Sequence, residues 1–222
     1  MRAGHRQSLP AHPYLWRGAD AAPLRAQATG WTALDALLPG GGWPCGALSE
    51  VLYPQPGAGE LTLVLPLLAR LTGKAQTVAF IAPPFALHAP ALARAGVDLP
   101  HTLVVETRND PDALWSAEQL LHARTGAVLL WAQDIPTTAM RRLQLAAERG
   151  DGLALLLRPS AAAAAASVAA LRLGIERIGG VPTVEVLKCR GARPVQKITL
   201  AAPAPPHRPA ALPARGVRLS FA

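Results

Sequence analysis

Residues Leu38–Leu68 read LPGGGWPCGALSEVLYPQPGAGELTLVLPLL, and the order of residue types in that stretch decides the fold. LSEVLY (Leu48–Tyr53) is strand-like, PQPGAG (Pro54–Gly59) is a glycine-containing turn, and ELTLVLPLLARL (Glu60–Leu71) is helical. Strand, glycine turn and helix in that order are the layout of a phosphate-binding loop, whose glycines let backbone N–H groups approach a phosphate. Such a loop also needs a lysine for charge and a Ser or Thr hydroxyl for Mg²⁺. Here Glu60 stands where the lysine belongs and Leu61 where the hydroxyl belongs, with Thr62 one place late. A carboxylate repels a polyphosphate and leucine offers a metal nothing. The frame is kept and the chemistry is missing. Gly57 and Gly59 remain because the turn needs their backbone freedom.

Downstream, strands and helices alternate. TVAFIA (Thr77–Ala82), HTLVVET (His101–Thr107), AVLLWAQD (Ala127–Asp134) and GLALLLRP (Gly152–Pro159) are apolar runs suited to strands buried on both faces. Between them lie helical segments: Ala86–Gly96, then one from Asp110 as N-cap with Pro111 at the first helical position, then TTAMRRLQLAAERG with Met140, Leu143 and Ala147 on one side. Single helices between strands imply a parallel sheet with right-handed crossovers. Upstream, GWTALDALL carries Trp31, Leu34, Leu37 and Leu38 at helical spacing. Beyond Ser160, Ala161–Ala170 is a helix by propensity, and LRLGIERIGGVPTVEVLKCRG alternates with period two about Gly179-Gly180, an antiparallel hairpin. The expected division is an extension over 1–28, an α/β core over 29–200, and a mobile basic Pro/Ala-rich tail over 201–222.

Charge is distributed unevenly. Residues 1–157 balance, so the whole net charge of +8 resides in 158–222. After Glu185 there is no acid, only Lys188, Arg190, Arg193, Lys197, Arg208, Arg215 and Arg218. That asymmetry points to a polyanion or an acidic partner surface, against the plainer reading of a solvated basic tail. Arg141 and Arg142 are a further candidate contact for DNA or a partner, and Tyr14, Leu15 and Trp16 a candidate partner anchor. Trp31, Trp43, Trp115 and Trp131 read as core residues. With no aromatic between Trp131 and Phe221, the basic half lacks a stacking platform for single-stranded DNA, which favours a protein partner. Cys45 and Cys189 show no paired spacing and the six histidines no ligand-like pair, so reduced thiols and no metal are expected. No run is long enough for a membrane span and no signal-peptide core is present; a cytoplasmic, nucleoid-associated protein is expected.

The stretch TGWTALDALLPGGGWPCGALSEVLYPQPGAGELTL (Thr29–Leu63) resembles the opening of the RecA recombinase core. LWRG, LPGGGWP, GELTL, APP, LWSAEQLL, MRRLQLAAE, LLLRP and LKCRG, in that order, resemble the RecA-derived ImuA family more closely. The resemblance implies a RecA-like P-loop NTPase core with a parallel central sheet and a C-terminal antiparallel hairpin. In the recombinase the loop lysine falls on Glu60, the metal-binding hydroxyl on Leu61, a catalytic glutamate in the Ala82-Pro83-Pro84 region, and a metal-organising aspartate near Trp131-Ala132, with Asp134 late. All three losses argue against phosphoryl transfer, which consists mostly of positioning and charge stabilisation. By this resemblance the chain is a non-catalytic accessory of SOS-induced error-prone translesion DNA synthesis, with no cofactor. Its implied partners are an inactive Y-family polymerase homologue of the ImuB type, an error-prone replicative-type polymerase, RecA, and DNA itself. The alternatives are a SulA-like cell-division inhibitor, which shares the superfamily, and a recombinase paralogue that still binds ATP.

Overall fold

The computed structural model describes residues 25–190 and 197–200 in full and the backbone of 195–196 and 218–220. Among the described residues, nine strands form one sheet and five helices flank it. In chain order, β1 (Ala26–Gln27) pairs with β2 (Trp43–Pro44) in a small antiparallel ribbon, with α1 (Thr32–Asp35) between them. The main sheet contains β3 (Ala47–Tyr53), β4 (Val78–Ile81), β5 (Thr102–Glu106), β6 (Ala127–Trp131), β7 (Leu153–Pro159), β8 (Leu171–Ile178), β9 (Val181–Cys189), β10 (Val195–Thr199) and β11 (Arg218–Ser220). Its order is β10-β9-β8-β3-β7-β6-β4-β5-β11, parallel from β8 to β11 and antiparallel at β8-β9 and β9-β10. Helices α2 (Glu60–Thr72), α3 (Ala89–Arg94), α4 (Asp110–His122) and α5 (Thr137–Gly150) fill the crossovers.

The continuous apolar runs are explained by burial on both faces. Along β4, Val78 and Phe80 join the core that α2 covers with Leu63, Val64, Leu67, Leu68 and Leu71. Ala79 and Ile81 join the opposite core, covered by Ala113, Ala117 and Leu121 of α4 and by Met140, Leu143 and Ala147 of α5. Strands β6 and β7 alternate in the same way. Each fully buried Leu or Phe contributes about 1.5–3 kcal/mol, so these two layers dominate the stability. Trp31 links α1 to α2 by donating from Nε1 to the Leu63 carbonyl at 2.9 Å, and Phe80 stacks on Trp131 with centroids 6.3 Å apart.

Several expectations require correction. The helix over GWTALDALL shrinks to four residues, although Trp31, Leu34 and Leu38 are buried as the spacing implied. The N-cap of α4 is Asn109, not Asp110: its side chain accepts the Asp112 amide hydrogen at 2.8 Å, which pushes Pro111 to the second helical position. The alanine run forms only a 3₁₀ turn, Ser160–Ala164. Its carbonyls serve another purpose, because the Arg172 guanidinium donates to those of Ala162, Ala163 and Ala165, a tertiary demand that overrides alanine's helix propensity. Trp115 is 54% exposed rather than core. β1 pairs at residues 26–27, and Arg218–Ser220 pairs with β5 at the edge of the main sheet. The hairpin is as expected: Gly179 (φ 58°) and Gly180 (φ 83°) supply the left-handed pair that a two-residue turn requires.

Candidate nucleotide-loop site

β3 ends at buried Tyr53, the chain turns through 54–59, and α2 starts at Glu60 after Gly59, whose φ of 117° only glycine adopts without strain. The Glu60 carboxylate does not point outward. Oε1 accepts the Gly57 amide hydrogen at 2.8 Å and Oε2 the Gly59 amide hydrogen at 3.1 Å. Glu60 is thereby 96% buried, at a helix N-terminus whose dipole favours a negative group. Sequence reasoning took this residue as a repulsive charge; the signal it missed is that a first-turn carboxylate reaches back to its own loop amides. Burial first, and then the Glu60 carboxylate, push the Tyr53 hydroxyl above its usual range.

The surroundings are apolar. Leu61 is half-buried against the α2-side core, and Thr62 is half-buried one residue further on. A cleft of about 280 Å³ separates the loop from Pro83, Pro84, Phe85 and Leu87, where the recombinase resemblance places a glutamate. Ala82, at the end of β4, has φ of 49° and donates its amide hydrogen to the Val105 carbonyl. Asp134 is exposed after β6. On the β8 side, a Cβ on Gly59 would lie 3.5 Å from Ile175 Cδ1 and 3.8 Å from Arg177 Nε.

Comparison with known proteins agrees with this architecture. Residues 17–154 match the RecA N-terminal domain family. The chain belongs to that family. It is 29% identical to Protein ImuA of Caulobacter vibrioides over 199 residues, covering 78% of this chain and 82% of that protein. It is 32% identical to Protein RecA of Streptomyces ambofaciens over 129 residues, covering 58% of this chain and 34% of that protein. Protein RecA of Acinetobacter baumannii is 31% identical over 128 residues, with 58% and 36% covered. This RecA-family chain thus spans about a third of the recombinases it matches and most of the ImuA protein.

The basic candidates of this RecA-family chain are not one free patch. Arg142 on α5 is 2.7 Å from Glu118 of α4, while Arg141 is exposed. Lys188 donates to the Ser167 carbonyl at 2.7 Å. Lys197 is 2.5 Å from Glu176, which raises its ammonium pKa by hydrogen bond and by charge. Arg190 is exposed at the end of β9. Two bases of the C-terminal half serve the interior: Arg158 and Arg172, both buried, flank fully buried Glu50. Arg158 also reaches the Gln133 carbonyl at 3.1 Å, tying down the loop beside Asp134. Tyr14, Leu15, Trp16, Arg193, Arg208 and Arg215, and the Arg218 side chain, lie outside the described residues. Among the described residues no group of three or more His, Cys, Asp or Glu is placed to hold a metal, and no helix is long and apolar enough to cross a membrane.

Proposed function

We propose that this chain is a non-catalytic RecA-like accessory protein of damage-induced error-prone translesion synthesis, acting by docking rather than by hydrolysing ATP. The observation that carries the reading is Glu60. The loop amides of Gly57 and Gly59 that would bind a phosphate are engaged by the chain's own carboxylate. The loop therefore keeps its shape without a ligand, and a nucleotide phosphate does not fit while Glu60 is seated. Leu61 supplies no metal ligand. Mg²⁺ and nucleotide enter no step of this function. Similarity to Protein ImuA over 82% of that protein supports placing the chain in a mutagenesis cassette instead of among recombinases, of which it spans about a third.

The partners that fit this reading are an inactive Y-family polymerase homologue, an error-prone replicative-type polymerase, and RecA. Exposed Arg141 and Arg190 are the candidate contacts that remain unengaged by a neighbour among the described residues. Two measurements test the proposal. The purified chain should leave the anisotropy of a fluorescent ATP analogue unchanged at millimolar Mg²⁺; saturable binding would refute the non-catalytic reading. Affinity capture from cells treated with a DNA-damaging agent should recover polymerases, whereas recovery of the division-ring protein would establish a division inhibitor instead.

A further inference from the structure

Helices α4 and α5 cover the same face of the sheet, and each carries one large apolar side chain on its outer side: Trp115 is 54% exposed and Leu145 is 50% exposed. A single exposed apolar residue needs no account, but two on neighbouring helices at one level do. Both helices connect parallel strands of the same sheet, so they run in the same direction. Their offset is fixed where they touch, at Gly150 of α5 against the Leu121 carbonyl of α4. Leu145 is five residues before Gly150 and Trp115 is six before Leu121, a difference in height of about 1.5 Å. The two also point to the same seam. Trp115 precedes Glu118 by three residues and Leu145 follows Arg142 by three, and Glu118 and Arg142 meet at 2.7 Å between the helices.

The charges on this face match one another in the same way. Asp112 is nine residues before Leu121 and Arg141 is nine before Gly150, so these two stand level, each exposed on its own helix. Arg141 has no hydrogen-bond or ion-pair partner among the described residues. A two-fold axis running along the seam lays α4 of one copy on α5 of another and leaves every height unchanged. Trp115 then rests on Leu145 of the second copy, and Asp112 faces Arg141 of the second copy. Each contact is made twice, as an isologous interface requires. An acidic partner is a poorer match, since the face holds Asp110 and Asp112 as well as its arginines.

We propose that the outer face of α4 and α5 is a self-association surface, on which a second copy of this chain docks about that axis. Trp115 and Leu145 are its apolar centre, and the Asp112–Arg141 pairs set its register. Because both copies use the same face, assembly stops at two. A face about 20 Å long and two helices wide is small for an obligate interface, so dimer and monomer exchange at concentrations of about 10–100 μM. This inference is independent of the Glu60 reading and uses no residue of the nucleotide loop; ATP binding would refute that reading and leave this one standing.

Sedimentation velocity on the full chain tests it. The average mass should rise with concentration from 23.2 kDa toward twice that value and no further. Trp115→Ala and Leu145→Ala should each weaken dimerisation about ten-fold or more, whereas Ile178→Ala, at an exposed apolar residue on β8, should not. The decisive samples are Arg141→Glu and Asp112→Lys, each checked for native circular dichroism. Either alone should sediment as monomer, because like charges face one another, and an equimolar mixture should dimerise, because both pairs are then opposite in sign. A chain that stays monomeric at about 200 μM overturns the proposal. So does a mass that climbs past the dimer, a dimer indifferent to Trp115→Ala, or a mixture no better than its components. If Trp115→Ala abolished capture of another protein by a chain that is monomeric throughout, the face would belong to that protein and the second copy would be excluded.

Discussion

Nη1 of Arg158, on β7, lies 3.0 Å from Oε1 of Glu50 on β3, with neither side chain more than 6% exposed. Arg172, on β8, approaches the other carboxylate oxygen at 2.5 Å, so one acid joins three adjacent strands. Breaking a buried ion pair is costly because the surviving group loses an opposite charge that water cannot replace. Glu50→Ala or Arg158→Ala should therefore lower the unfolding free energy by about 3–5 kcal/mol. Urea denaturation followed by Trp fluorescence measures this. A loss below about 1 kcal/mol would mean the pair is not held in the interior.

Glu60→Ala should free the amides of Gly57 and Gly59. The buried Gly59 donor left without an acceptor costs about 1–3 kcal/mol, and exposed Gly57, which water can reach, costs less. The variant should melt below the unaltered chain. Sulfate or phosphate should raise its melting temperature more than that of the unaltered chain, since the vacated amides attract an anion. Equal responses of the two proteins to sulfate would show that Glu60 does not occupy an anion cradle.

Alkaline pH should destabilise the fold. Burial pushes both thiols upward, Cys45 with help from Asp151 against Arg25, and burial followed by Glu60 pushes up the Tyr53 hydroxyl. A raised value means the folded state holds the proton more tightly than the unfolded chain does. That contribution is complete below the unfolded values, about 8.5 for Cys and about 10 for Tyr, and is lost as pH rises through the folded ones. The melting temperature should fall from about pH 8.5 upward, and Cys45→Ala with Cys189→Ala should flatten the first part of that decline. A profile that stays level up to pH 10 would contradict it.

Gly150, the last residue of α5, has no room for a side chain: a Cβ there would lie 1.9 Å from the Leu121 carbonyl oxygen of α4. Backbone cannot withdraw as a side-chain tip can. Gly150→Ala should cost about 1–3 kcal/mol through overpacking, despite alanine's better helix propensity. A stabilised variant in thermal melts would show that α4 and α5 are less tightly apposed.

The parallel core was legible because its strands bury both faces, and two-sided burial leaves continuous apolar runs in the sequence. The hairpin was legible because Gly179-Gly180 admits few backbone conformations. The alanine run was misread because its fate is set by Arg172, a residue outside the run that recruits its carbonyls. Trp115 was misread because an amphipathic helix has an outer face, and tryptophan alone does not say on which face it lies. At the candidate site the carboxylate at Glu60 and the apolar Leu61 were visible in the sequence, but the carboxylate's inward turn depends on the left-handed backbone at Gly57 and Gly59 and on their amide directions. The basic half looked like a single surface because charge counting cannot separate Arg158 and Arg172, directed at Glu50, from solvent-facing Arg190.

The separation of 108 residues between Glu50 and Arg158 has a consequence for biosynthesis. β3 is made early, yet both of its neighbours, β7 and β8, emerge from the ribosome only near the end. At about 5–20 residues per second, the nascent strand waits about 5–20 s with an uncompensated acid and bare apolar flanks. Slow codons placed before Leu153 would lengthen that wait and raise the demand for a chaperone that shields unpaired strands.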